Sequence, residues 1–133
     1  MSDLPAMCDL PAPYGLVLTT AASRTEAEAL ARALVAERLA ACVSLFPVHS
    51  VYTWQNTLEQ QDEWQLVIKT DLTLFPALET KIRELHSYDV PEIIALPIAA
   101  GSADYLNWLG ASVSPLSPLS RVSLQNQDDK SER

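Results

Sequence analysis

In HSYDVPEIIALPI, residues 86–98, a histidine, a tyrosine and two acids stand against an apolar run. His86 and Glu92 offer an imidazole nitrogen and a carboxylate oxygen, donor types that Zn(II) and Cu(II) accept. Two ligands from one chain fall short of the usual four, so a metal there needs water or a neighbouring chain. His86 with Asp89 offers proton transfer instead, yet no nucleophile or oxyanion arrangement accompanies them. The structural reading is that His86 closes a helix, where its protonated form suits the dipole, and that Pro91 holds the preceding residue extended. Lys69, Tyr88 and Glu92 are candidates to line a cleft, the lysine either paired with acids or facing a small anion. Glu59, Asp62 and Glu63 read as a solvated acidic face without EF-hand spacing. His49, mid-strand beside Ser50, reads as a surface or interface residue. No GxSxG elbow, HExxH helix, CxxC pair or P-loop occurs, and no enzyme is expected.

The elements that must position these residues follow from periodicity. YGLVLTT, residues 14–20, is continuously apolar, as a central strand should be. Ser23 and Glu26 have capping-box spacing and open a helix running to about Ala40, with Ala27, Leu30, Ala31 and Leu34 as its apolar stripe. From Cys42 to Trp54 the period changes to two, and Pro47 marks an edge position. Gln55 and Asn56 form a turn, and Trp64, Leu66, Ile68 and Thr70 alternate beyond it, so two long strands make a hairpin joined near residues 55–62. A second helix covers about 73–86, with Phe75, Leu78, Ile82 and Leu85 on one side and Pro76 in its first turn. Residues 90–98 read as a buried or central strand, and ADYLNWLG as a short helix. The order βαββαβ predicts an α+β, ferredoxin-like sandwich with a short C-terminal helix. Its helices cover one sheet face only. Tyr52, Trp54 and Trp64 then need burial against other copies, which predicts a homo-oligomer.

Composition narrows the classes. A chain of 133 residues suits one domain, with residues 1–13 as a loose arm, 14–112 as the folded unit and 113–133 as a serine-rich, flexible tail. Nine basic against seventeen acidic residues give a net charge of −8, which excludes the basic face of a nucleic-acid binder and disfavours an anionic membrane surface. No apolar run reaches the ~20 residues of a membrane-spanning helix. Asp3 and Asp9 stand where a signal peptide would be apolar, so a cytoplasmic location is expected. Cys8 and Cys42 are too few for a disulfide framework; Cys42, within LAACVSL, is expected as a small buried hydrophobe.

Five stretches together carry a family resemblance: LAACV at 39–43, YTW at 52–54, LVIKT at 66–70, HSYDVPEI at 86–93 and YLNW at 105–108. In register from about residue 15 to 112, the chain resembles the CutA divalent-cation-tolerance proteins. The resemblance implies a very stable trimer, similar in architecture to the PII signalling proteins, with hairpin strands pairing between subunits. It implies a role in divalent metal-ion tolerance, with copper binding proposed for some members through a cysteine, a histidine and a glutamate. Here Thr19 occupies the cysteine position, while His86 and Glu92 match the other two. Ser87 and Asp89 replace a usual proline and glutamate, and Asn56 a common turn glycine. Weak binding of Cu(II) or another divalent cation is therefore expected. A PII-like regulator sensing a small ligand between subunits, or a purely structural assembly module, are the alternatives.

Overall fold

Hydrogen bonding turns the apolar run at the start of the folded unit into strand β1, Tyr14–Ala21, in the computed structural model, which describes residues 13–113. The expected arm and tail lie outside the described residues, apart from Pro13 and Val113 at their borders. β1 pairs antiparallel on both sides, with β3 (Thr57–Asp71) and with β4 (Ile94–Pro97), and β2 (Cys42–Trp54) completes the order β2-β3-β1-β4. In register, Val17 faces Ile68 and Thr19 faces Leu66. Because side chains alternate between faces, these positions look toward the helices, while Leu16, Leu18, Gln65 and Val67 look the other way.

Helix α1, Arg24–Ala36, begins where expected: the Ser23 hydroxyl accepts from the Glu26 amide at 3.1 Å. The Glu26 carboxylate reaches back to the Ala22 amide at 3.0 Å. The helix ends before the expected Ala40 because Arg38 takes a left-handed conformation, φ 60°. The Leu39 and Ala40 amides then fold back onto the Leu34 carbonyl, a C-terminal closure usually made with glycine. α2, Phe75–Leu85, follows a single 3-10 turn at Leu72–Leu74, and Pro76 sits in its first turn. Both helices press one sheet face, burying Val17, Leu30, Leu34, Leu66, Ile68, Leu78 and Ile82 completely or nearly so. The third helix, α3 (Ala103–Val113), covers one end of the opposite face, where Leu109 and Val113 meet Ala41, Tyr14 and Ile98.

Two expectations change. β4 is a four-residue edge strand, exposed at every position, rather than a long buried one. Its Ile94 and Leu96 pair with Leu18 and Leu16 and share the face without α1 and α2. An apolar run is therefore apolar here without an intramolecular partner to bury it. Cys42 is half-buried at the first rung of β2, opposite Lys69, rather than in the core.

The hairpin turn is tighter than residues 55–62. Gln55 and Asn56 have φ of 52° and 65°, and β3 starts at once with Thr57. Positive φ at both central residues defines a type I′ turn. Asn accepts that conformation readily, but Gln55 is strained in it. Replacing Gln55 by Gly is expected to raise unfolding stability by up to about 1 kcal/mol, and Asn56→Val to lower it by about 1–2 kcal/mol. Denaturant titration checks both; a destabilised Gln55→Gly variant would contradict the turn assignment.

Candidate ligand groove

β1 ends at Ala21, opposite Trp64, so residues 57–63 of β3 pair with β2 alone and the hairpin overhangs the sheet. The segment between α2 and β4 passes along this overhang on the face without α1 and α2. Together they enclose an open groove of about 740 Å³. Tyr52 and Trp54 come from β2, Gln61, Glu63 and Gln65 from β3, and Tyr88, Asp89 and Glu92 from the crossing segment.

The crossing segment is fixed by His86 and Glu26. The His86 amide caps α2 on the Ile82 carbonyl at 2.9 Å. Its ring Nε2 lies 2.6 Å from the Thr20 carbonyl and its Nδ1 3.0 Å from the Tyr88 amide nitrogen. A carbonyl only accepts and an amide N–H only donates, so the ring is neutral, with its proton on Nε2. The Tyr88 ring packs beside it, centroids 4.8 Å apart. The second oxygen of Glu26 accepts from the Ser87 amide at 2.9 Å. Burial alone would raise the Glu26 pKa, but hydrogen bonds from the Ser87 side chain and from the Ala22 and Ser87 amides hold it below its ordinary value.

A directed chain of hydrogen bonds runs through the groove. The Tyr52 hydroxyl donates to Gln61 Oε1 at 2.8 Å, Gln61 Nε2 donates to the Tyr88 oxygen at 3.1 Å, and the Tyr88 hydroxyl donates to Glu63 at 2.8 Å. Burial, and then the bond to the Glu63 carboxylate, push the Tyr88 phenol well above its usual range. Gln65 Nε2 donates to Glu92 at 3.1 Å and to the Thr19 carbonyl at 2.9 Å.

The expected site residues are partly separated. Tyr88 and Glu92 share the groove, but Lys69 does not line it. Its ammonium lies 5.8 Å from the Tyr105 ring centre, under α3. Tyr52 and Trp54 stand on the open face, whereas Trp64 packs against the helix-side core with the Arg24 guanidinium 5.7 Å over its ring. Trp64 is thus not on the aromatic face expected to meet other copies, because an even position on β3 points to α1 and α2. His49 is exposed and bonded to Asp62 at 2.8 Å and Gln60 at 3.1 Å. Thr19 is fully buried, and its hydroxyl has no hydrogen-bond partner among the described residues.

A metal ion fits poorly within one chain. The Nδ1 lone pair of His86 is taken by the Tyr88 amide, and Glu92 already receives Gln65. Among the described residues, no group of three His, Cys, Asp or Glu side chains is arranged to hold an ion. Glu63 is the residue that sequence reasoning misplaced: expected on a solvated face, it is only 7% exposed. The alternation of Trp64, Leu66, Ile68 and Thr70, carried backwards, would have put Gln61, Glu63 and Gln65 together on the opposite face.

The family model of the CutA1 divalent ion tolerance protein matches residues 15–112. The chain belongs to the CutA1 divalent ion tolerance family. The divalent-cation tolerance protein CutA of Pectobacterium atrosepticum is 45% identical over 114 residues, covering 85% of this chain and 99% of the relative. The solved Thermus thermophilus divalent cation tolerance protein superposes with a TM-score of 0.74 at 44% identity, covering 76% of this chain and 99% of its own. The periplasmic divalent cation tolerance protein CutA from Archaeoglobus fulgidus gives a TM-score of 0.75 at 34% identity, over 76% of this chain and 99% of its own. These CutA1 structures carry the ferredoxin-like order expected from the sequence. The periplasmic name of the Archaeoglobus protein overturns the expectation of a cytoplasmic location: acidic residues near a chain's start do not fix where a CutA1 protein resides. No helix among the described residues is long and apolar enough to cross a membrane.

Glu26 is the testable support of the groove wall. Its lowered pKa means that the carboxylate contributes stability above its ordinary value of 4.5 and loses it as pH falls through the lower folded-state value. Glu26→Gln is expected to destabilise by about 1 kcal/mol at neutral pH. The gap to the parent protein should shrink below about pH 4.5 in urea titrations. A gap unchanged down to pH 3 would remove the charge from this role.

Proposed function

We propose that the protein serves divalent metal-ion tolerance as a non-catalytic homotrimer that takes up Cu(II) or another divalent cation weakly. The observation that carries the assembly is the open sheet face, where Phe46, Tyr52, Trp54, Ile94 and Leu96 are all exposed. An apolar surface of this extent is the mark of a protein interface. β2 and β4 are both edge strands, and pairing between copies removes such edges. A trimer closed in this way accounts for the high thermal stability expected of it.

Weak cation uptake is supported by Glu92 and Asp89 at the groove, both exposed carboxylates that water or a neighbouring copy can supplement. Hard oxygen donors suit Cu(II) better than Cu(I), and Thr19 supplies no thiolate. His86 joins such a site only by releasing the Tyr88 amide, so its metal role competes with its structural one. A second reading, a PII-like sensor of a small ligand, is favoured by the groove itself, whose volume falls in the range of small-molecule sites.

Light scattering on the purified protein is expected to give a trimer mass, and a monomer at micromolar concentration would overturn the assembly. Calorimetric titration with Cu(II) is expected to show binding in the micromolar range or weaker. Glu92→Gln should reduce it, while His86→Ala should chiefly lower the thermal midpoint. An isotherm unchanged by Glu92→Gln would exclude the groove as the cation's place.

A further inference from the structure

We propose that Pro47 selects the assembly. By removing a hydrogen-bond donor from the middle of the β2 edge, it bars twofold β2–β2 pairing and leaves the head-to-tail pairing of β2 with β4 that a closed ring requires. The inference rests on the homotrimer reading and names the residue that enforces it.

The direction of each amide on the two free edges follows from the ladders. Gln55 and Asn56 form a two-residue turn, so Trp54 and Thr57 are the hydrogen-bonded pair that closes it. Peptide groups alternate in direction along an antiparallel strand. Even-numbered residues of β2 therefore bond to β3, and odd-numbered ones from Val43 to Thr53 aim their N–H and C=O at the free edge. Pro47 stands in the middle of that outward row, opposite Trp64 in an unbroken ladder. Having no N–H, it takes nothing from the pairing with β3 and denies a donor only to an incoming strand. Its ring also projects to where that strand would lie. On β4 the Ile98 amide donates to the Tyr14 carbonyl at 2.9 Å, so Ala95 and Pro97 are the residues of that strand that point outward. Ala95 alone of these two has an amide proton to offer.

Without Pro47, β2 would be its own best partner. CVSLFPVHSVYTW carries no Lys, Arg, Asp or Glu, so the charged side chains that often guard an edge are missing. It is also rich in β-branched and aromatic residues, which favour strand pairing. Two such edges of 13 residues, antiparallel about a twofold axis, would outlast any pairing with the four residues of β4. A twofold contact uses the same surface on both copies and closes a dimer, whereas a ring of three needs two different surfaces on each copy. With Pro47 in place, the outward donors divide into Val43 and Leu45 on one side and His49, Val51 and Thr53 on the other. Each stretch is close to β4 in length, and β2–β2 pairing loses its advantage.

The test is light scattering on the full-length protein, comparing the parent with Pro47→Val and Pro47→Thr at micromolar concentration. Both substitutions restore the amide at an exposed position, and the polar threonine separates the donor from added apolar surface. The parent is expected as a single trimer. Both variants are expected as mixtures in which dimers, or trimers joined in pairs, replace much of that mass. Hydrogen exchange on the same samples should slow about tenfold at the Leu45 amide in the variants, the effect of one added hydrogen bond. Variants that stay wholly trimeric, or that associate without slower exchange at Leu45, would overturn the proposal. Association of the valine variant alone would trace to apolar surface and overturn it too. A parent that is not a trimer is seen before any variant is compared; that result defeats the assembly reading itself, and this inference with it.

Discussion

The imidazole of His86 bridges two backbone groups that no secondary structure would bring together. Nε2–H meets the Thr20 carbonyl at the end of β1, and Nδ1 meets the Tyr88 amide beyond α2. That bridge fixes where the chain crosses the sheet after α2, and with it the position of Tyr88, Asp89 and Glu92. It works only with a neutral ring of one tautomer, since a proton on Nδ1 would face the proton of the Tyr88 amide. Glu26 reinforces it from α1, so one helix start, one helix end and one strand end share a small polar junction. The wall of the groove depends on this junction rather than on apolar packing, because Val90 is exposed and β4 buries none of its four residues.

The second constraint is the unequal covering of the sheet. α1 and α2 bury one face, and α3 closes only an end of the other. The long hairpin then extends past β1, carrying Tyr52 and Trp54 where the single chain has nothing to place on them. The type I′ turn at Gln55 and Asn56 keeps that extension straight and in register, since its twist matches that of the strands. Strand pairing and the open face are thus linked: the register that sends Leu66 and Ile68 inward necessarily sends Gln61, Glu63 and Gln65 to the groove.

Much of this was legible in the sequence where the signal is local. The capping box at Ser23 and Glu26, the apolar stripe of α1, the edge proline Pro47 and the turn at Gln55 and Asn56 are each written within a few residues. The site was less legible because its parts are joined across the fold. Glu63 sits among other acids in the sequence and looks solvated; it is buried, and the hydroxyl that meets it, on Tyr88, lies twenty-five residues on. Lys69 shares a face with the groove residues, but strand position carries it to the α3 end. β4 misled for the opposite reason: hydrophobicity reports that a run must be covered, and not whether its own chain does the covering.

The same geometry sets the relation between metal tolerance and the groove. A transition-metal site gains from lone pairs held ready and undivided, yet the nitrogen at hand, His86 Nδ1, is committed to the backbone, and the nearest buried carboxylate is half committed to Tyr88. Releasing either would loosen the junction that shapes the groove, so tight metal binding and a rigid wall oppose each other within one subunit. The exposed carboxylates of Asp89 and Glu92 at the groove stand outside that junction. A metal that recruits His86 must first break its bond to the Tyr88 amide, whereas one held by exposed carboxylates leaves the bridge intact.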